Sequence, residues 1–174
     1  MFKTLISAVA LSVVAGTAFA DNYTITVTNN LDEELLAPIL VTDAGNDAHI
    51  FDGAYVTAEA EEQILTGDPK MLAERIGGDM VAVGHGMDGP PGVLLAPGKS
   101  VTLNFKTDAT ALRVIAMVAP TMVADHYVSN VVDVHAQEKV AFDLNRFDIG
   151  HDEGTKMNMA VGSGAASVTI ERAM

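Results

Sequence analysis

Tyr23-Thr24-Ile25-Thr26-Val27-Thr28 places Tyr23, Ile25 and Val27 in strict alternation with three threonines. That two-residue period, with β-branched side chains on both faces, predicts a strand buried on one face and wet on the other. The same alternation returns at Val101, Leu103 and Phe105, at Val140, Phe142 and Leu144, and at Val168 with Ile170. Leu112 to Ala119 is almost wholly apolar instead, the pattern of a central strand covered on both faces, and its Arg113 must find an exit or a partner. Leu36 to Thr42 predicts a further strand, interrupted by Pro38 and so suited to an edge or a bulge. With Tyr127 to Val134 and Thr155 to Val161 as weaker segments, about eight short strands separated by turns favour an all-β antiparallel sandwich.

One stretch departs from this rhythm. Between Ala58 and Ile76 the period becomes helical, with Thr57 placed to cap the start. Asp68-Pro69 supplies a capping side chain followed by a proline suited to a first helical turn, and Gly77-Gly78 ends the region. The expected architecture is therefore a single sandwich domain over residues 21–174 with a short helical insertion around residues 58–76. Asp43-Ala44-Gly45-Asn46-Asp47 reads as a turn, and Gly162-Ser163-Gly164 as a flexible loop.

Residues 1–20 carry Lys3, an apolar run from Leu5 to Val14, and Ala18-Phe19-Ala20. This is the form of a secretory signal peptide with an A-x-A cleavage site, which implies a periplasmic or secreted product. Its apolar run is short for a bilayer span, and no later segment reaches the required length, so no transmembrane segment is expected. The chain has no cysteine, which removes both lipid attachment at a thiol and disulfide bracing. A formal charge of −13 opposes binding to nucleic acid or to anionic lipid without a bridging cation.

The chemistry is concentrated in Phe147-Asp148-Ile149-Gly150-His151-Asp152-Glu153-Gly154, preceded by an isolated acid at Asp125. Carboxylates on short loops, with glycines that let the backbone turn back, suit a hard cation such as Ca²⁺, with backbone carbonyls and water completing the shell. The same aspartates can instead make turns and cap exposed amides. A softer alternative is an extracytoplasmic copper-binding protein that draws on His85, Met87, Met117, Met122, His126, His151, Met157 and Met159, because thioether and imidazole suit copper. Methionine is also an ordinary core filler. An enzyme, at most an unidentified hydrolase, is the weakest reading. The chain has no cysteine nucleophile, no Gly-x-Ser-x-Gly elbow, no His-Glu-x-x-His pair and no phosphate-cradling glycine loop.

Several segments, in order, resemble the spondin amino-terminal domain of bacterial secreted proteins and of the animal matrix proteins F-spondin and mindin. They are Tyr23 to Asn29, the Phe51 region leading into Gly67-Asp68-Pro69, Leu94 to Val101, Met117-Val118-Ala119-Pro120-Thr121, Asp125-His126-Tyr127-Val128, and Asp148 to Asp152. The resemblance runs from about Tyr23 to Thr155. It implies an eight-stranded, C2-like antiparallel sandwich with calcium at one end, held by Asp125, Asp148 and Asp152. It also implies a non-catalytic binding or adhesion-type module with an extracellular or envelope partner. Where the animal domain has two tryptophans beside the metal aspartates this chain carries His126 and Phe147, and it lacks the animal disulfides, so integrin binding is not implied.

Overall fold

The computed structural model describes residues 20–89, 92–119, 125–135 and 137–173. The expected signal peptide falls outside these residues apart from Ala20, as does Met122 of the softer ligand set. The strands are β1 (Asp21–Asn29), β2 (Leu35–Leu36), β3 (Ile39–Asp43), a small hairpin of β4 (Phe51–Asp52) and β5 (Tyr55–Val56), β6 (Val81–Gly84), β7 (Ser100–Thr107), β8 (Ala111–Ala119), β9 (His126–Asp133), β10 (Lys139–Asp148) and β11 (Met159–Arg172). Helices α1 (Ala58–Thr66) and α2 (Lys70–Ile76) form the insertion.

The main strands make one antiparallel sheet in the order β6-β3-β8-β9-β10-β11-β1-β7, with β2 beside β8. The sheet rolls until its two ends meet: a Cβ built on Gly84 in β6 would lie 2.7 Å from Leu103 Cδ2 in β7. The two layers of the sandwich are thus halves of one nearly closed sheet, and the all-β antiparallel expectation holds. Inside the roll, Ile25 and Val27 of β1 meet Val114, Ala116 and Val118 of β8 and Leu144 of β10. Each fully buried aliphatic side chain contributes about 1.5–3 kcal/mol relative to exposure. Outside it, the threonines of β1 pair with β7: Thr26 with Thr102 at 2.9 Å, Thr28 with Ser100 at 2.7 Å, and Thr24 donating to Asn104 at 3.1 Å.

A second apolar cluster explains the uninterrupted hydrophobicity of β8. Leu40 and Ile115 point away from the roll and are covered by Ala60 and Ile64 of α1 and Leu72 and Ile76 of α2, with Tyr127 and Ile149 beside them. The insertion forms as its capping residues predict. Thr57 Oγ1 accepts from Ala60 N, and Asp68 Oδ1 accepts from Lys70 N at 3.0 Å. It is two helices broken at Gly67, not one.

Of the two placements open to Pro38, the bulge is the one found: β3 is hydrogen-bonded to both β6 and β8 and so is no edge, and the register against β8 steps by one residue between Leu36, opposite Val118, and Leu40, opposite Ile115. One local expectation is corrected. Gly162-Ser163-Gly164 is not a loop: it lies within β11, which begins at Met159 rather than Thr155. Register shifts near Arg146 in β10 and the left-handed Gly164 (φ 73°) form an irregularity that the strand absorbs without ending.

Candidate metal centre

The sheet brings the acids together at one rim. Asp125 immediately precedes β9, Asp148 ends β10, and the two strands are in register there, with Asp148 opposite His126. The backbone N–H of Ile149 donates to the Asp125 carbonyl at 3.2 Å, which ties the two chain segments together. The turn that follows depends on Gly150, whose φ is 63°; a Cβ there would lie 2.2 Å from Thr155 Oγ1. Only glycine satisfies both the left-handed backbone and that contact. Beyond it Lys156 N donates to Gly150 O at 2.9 Å, and His151 and Lys156 reach Glu61 of α1 at 3.1 and 3.2 Å. Burial pushes the Glu61 carboxyl up, but the hydrogen bonds from His151 and Lys156 outweigh it and hold the group below its ordinary range.

Two sets of side chains lie close enough to share one ion, and both contain Asp125: Asp125, His126 and Asp148, and Asp125, Asp152 and Glu153. The ligand atoms within each set are within 4.8 Å of one another. The expected trio therefore divides, with Asp148 on one side of Asp125 and Asp152 on the other. Glu153 stands in the second set where the resemblance placed Asp148.

The first set is already occupied by its own hydrogen bonds. Arg146 donates to His126 Nδ1 from Nε at 3.1 Å, while its two terminal nitrogens grip Glu34 at 2.6 and 2.8 Å. A guanidinium only donates, so Nδ1 must accept, and we assign the proton of the imidazole to Nε2. That nitrogen then donates to Asp148 Oδ2 at 3.3 Å. The other Asp148 oxygen accepts from Gly150 N at 2.6 Å, the turn-making role that competes with metal ligation. Ligation through Nε2 would require moving its proton onto Nδ1, against Arg146. The chain Glu34–Arg146–His126–Asp148 is a positioning network for the loop.

The second set consists of carboxylate oxygens alone. Asp125 is 2% exposed and has no cationic partner among the described residues; its side chain accepts one long hydrogen bond, 3.5 Å, from Asp152 N. Burial, together with the charges of Asp148 and Asp152, raises its pKa above the ordinary aspartate range. The carboxyls of Asp152 and Glu153 lie close together, and their interaction lowers the pKa of Asp152 and raises that of Glu153. A buried carboxylate with acidic neighbours and no counter-charge fits a divalent cation, and an all-oxygen donor set on loops suits Ca²⁺ better than a softer metal.

The softer ligands are scattered. His126 is held by Arg146 and Asp148, His151 by Glu61, Met117 is buried, and Met87, Met157 and Met159 are exposed. His85 and Met117 both line a cleft beside Pro38 and Leu94, yet His85 joins neither set at the acidic rim. Under the acidic loop, Phe147 stacks on Tyr127 with ring centres 5.1 Å apart, and the Tyr127 hydroxyl donates to Asn158 at 2.9 Å. Adjacency to Asp152 was the only sequence signal for Glu153. Nothing in the sequence announced Arg146 or Glu34, which are 112 residues apart.

No family model matches the chain, and no curated protein matches it. Among the described residues no helix is long and apolar enough to cross a membrane.

Proposed function

We propose that this protein is a non-catalytic, periplasmic or secreted binding module of spondin type whose acidic rim is organised by Ca²⁺. The observation that carries the reading is Asp125, a buried carboxylate that shares its surroundings with Asp152 and Glu153 and has no cationic partner among the described residues. In this reading Asp125, Asp152 and Glu153 supply oxygen ligands. Asp148 holds the Gly150 turn and adds negative potential, and water or a partner's carboxylate or phosphate fills the remaining coordination positions. The signal-like residues 1–20 and the resemblance described above support the compartment and the module class.

Calorimetric titration of residues 21–174 with CaCl₂ tests this. Binding heat and a raised melting temperature are expected in the wild type and absent in Asp125→Asn, with Asp152→Asn weakened more than Asp148→Asn. Binding of Cu⁺ or Cu²⁺ without any response to calcium would favour the softer ligands and overturn the reading.

A further inference from the structure

β1 covers only part of its neighbour. It pairs with β11 from Arg172 back to Ala166 and leaves at Asn29. Beyond that point the same edge of β11, from Met159 to Ala165, meets only Asn30, which donates from its backbone N to Ala165 O at 3.1 Å and from its side chain to Gly164 O at 3.4 Å. No described strand continues the track of β1. The opposite edge of this segment is held by β10, with Arg146 facing Gly162 and Asp148 facing Met159.

Native sheets protect such edges with charge, proline, a bulge or a covering element. Among the described residues this one carries only the bulge around Gly162 to Ala165: from Asn158 to Ile170 the chain carries no charged residue and no proline, and Met159 to Ser163 are exposed. Met159 and Val161 are each about half exposed, as is nearby Met157. At the Ala165 end of this edge a new strand would enter a cleft of about 790 Å³, bounded by Arg146 and Gly162 to Ala165 on one wall and by Asn30 to Glu34 on the other. That second wall is fixed in place. Buried Asn29 donates to the carbonyls of Glu34 and Leu95 at 2.8 and 2.9 Å and accepts from Leu31 N at 2.9 Å. Glu34 is neutralised by Arg146, which leaves Asp32 and Glu33 exposed and unpaired along the rim.

The geometry points to β-strand addition at this edge: the segment Met159–Ala165 receives an extended, lysine- or arginine-bearing segment of a partner protein, in line with β1. Main-chain hydrogen bonds to β11 would supply affinity. Alternate apolar side chains would rest on Met159 and Val161, and basic ones would face Asp32 and Glu33. Because Met159 to Ala166 lies opposite only Leu144 to Asp148 of β10, the bulged edge is about 13 Å long at 3.3 Å per residue, the reach of a four- or five-residue strand. A second copy of this chain fits less well, because it brings the same uncharged edge and the same acids, within a net charge of −13.

The probe is an acetylated hexapeptide alternating lysine and valine, titrated against residues 21–174 in chelator so that the outcome does not depend on the calcium site. Saturable binding is expected, together with slowed hydrogen exchange at the Met159–Ser163 amides. A lysine–proline hexapeptide of equal charge lacks half the backbone donors and should fail, as should a glutamate–valine one. Val161→Lys, at an exposed position, should weaken binding about tenfold while leaving the melting temperature unchanged. Asp32→Asn with Glu33→Gln should weaken it and reduce its salt dependence. Equal binding of the lysine–valine and lysine–proline peptides, no exchange protection at the edge, or a dimer in sedimentation that Val161→Lys dissociates would each overturn the proposal.

Discussion

Two carboxylates, the half-buried Asp47 and the buried Asp125, handle charge in opposite ways. At Asp47 the carboxylate grips Arg113, with Nε–Oδ1 at 2.9 Å, while the same guanidinium reaches Ser129 Oγ at 3.1 Å and lies 4.9 Å above the Phe51 ring. The charge that interrupts β8 is thus answered from within the chain. At Asp125 the neighbours are Asp148, Asp152 and Glu153, and among the described residues no cation pairs with it, Arg146 being held by Glu34 and His126. The first region is self-contained, and in the proposed reading the second is completed by a cation from outside. An acid's burial matters less than whether the sequence also places its counter-charge.

The sharpest way to break this contrast is to remove the internal cation. Arg113→Ala strands Asp47 and uncovers Phe51; with both partners only partly shielded, a loss of about 3 kcal/mol in urea denaturation is expected, unchanged by calcium. If calcium restored that loss, the two regions would not be independent. Next in size is calcium itself: at a free concentration one hundred times its Kd it should raise the unfolding free energy by about 2.7 kcal/mol, and this gain should vanish in Asp125→Asn. Gly150→Ala should cost about 2 kcal/mol through its left-handed backbone and the Thr155 clash, and should weaken calcium heat as well as stability.

The smallest effect is a pH dependence. In chelator the folded-state pKa of Asp125 is raised, so its contribution is fully present below the ordinary aspartate value of 3.8 and is lost as pH rises through the raised value. Asp125→Asn should therefore gain on the wild type as the pH of a chelator-treated denaturation series increases above that value. Glu61 acts with the opposite sign: its lowered pKa contributes stability that is present above its ordinary 4.5 and lost as pH falls. A Glu61→Gln series should show its deficit shrinking toward acid.

What could be read from the sequence follows the same division between local and distant causes. The β1 alternation was legible because each side chain's fate is decided by its own place in the pleat. The apolar run of β8 was legible too, although the reason for it, helices on the outer face, lies dozens of residues away. β11 reads from sequence as two strands, because Gly162-Ser163-Gly164 has the composition of a loop, whereas the pairing with β10 carries the strand through that irregularity. At the rim, the resemblance implied one site of Asp125, Asp148 and Asp152, and the structure groups Asp125 with Asp148 in one set and with Asp152 in another. No spacing in the sequence signalled the split between them, nor the Glu34–Arg146–His126 chain that holds Asp148, because these residues meet only through the folded sheet.

The stacked pair of Phe147 and Tyr127 has a practical consequence. The chain contains no tryptophan and three tyrosines, and Tyr127 alone of these is sealed beneath the acidic loop, tethered to it through Asn158. Tyrosine emission and near-ultraviolet dichroism are therefore an internal optical reporter of that loop, readable without any added label.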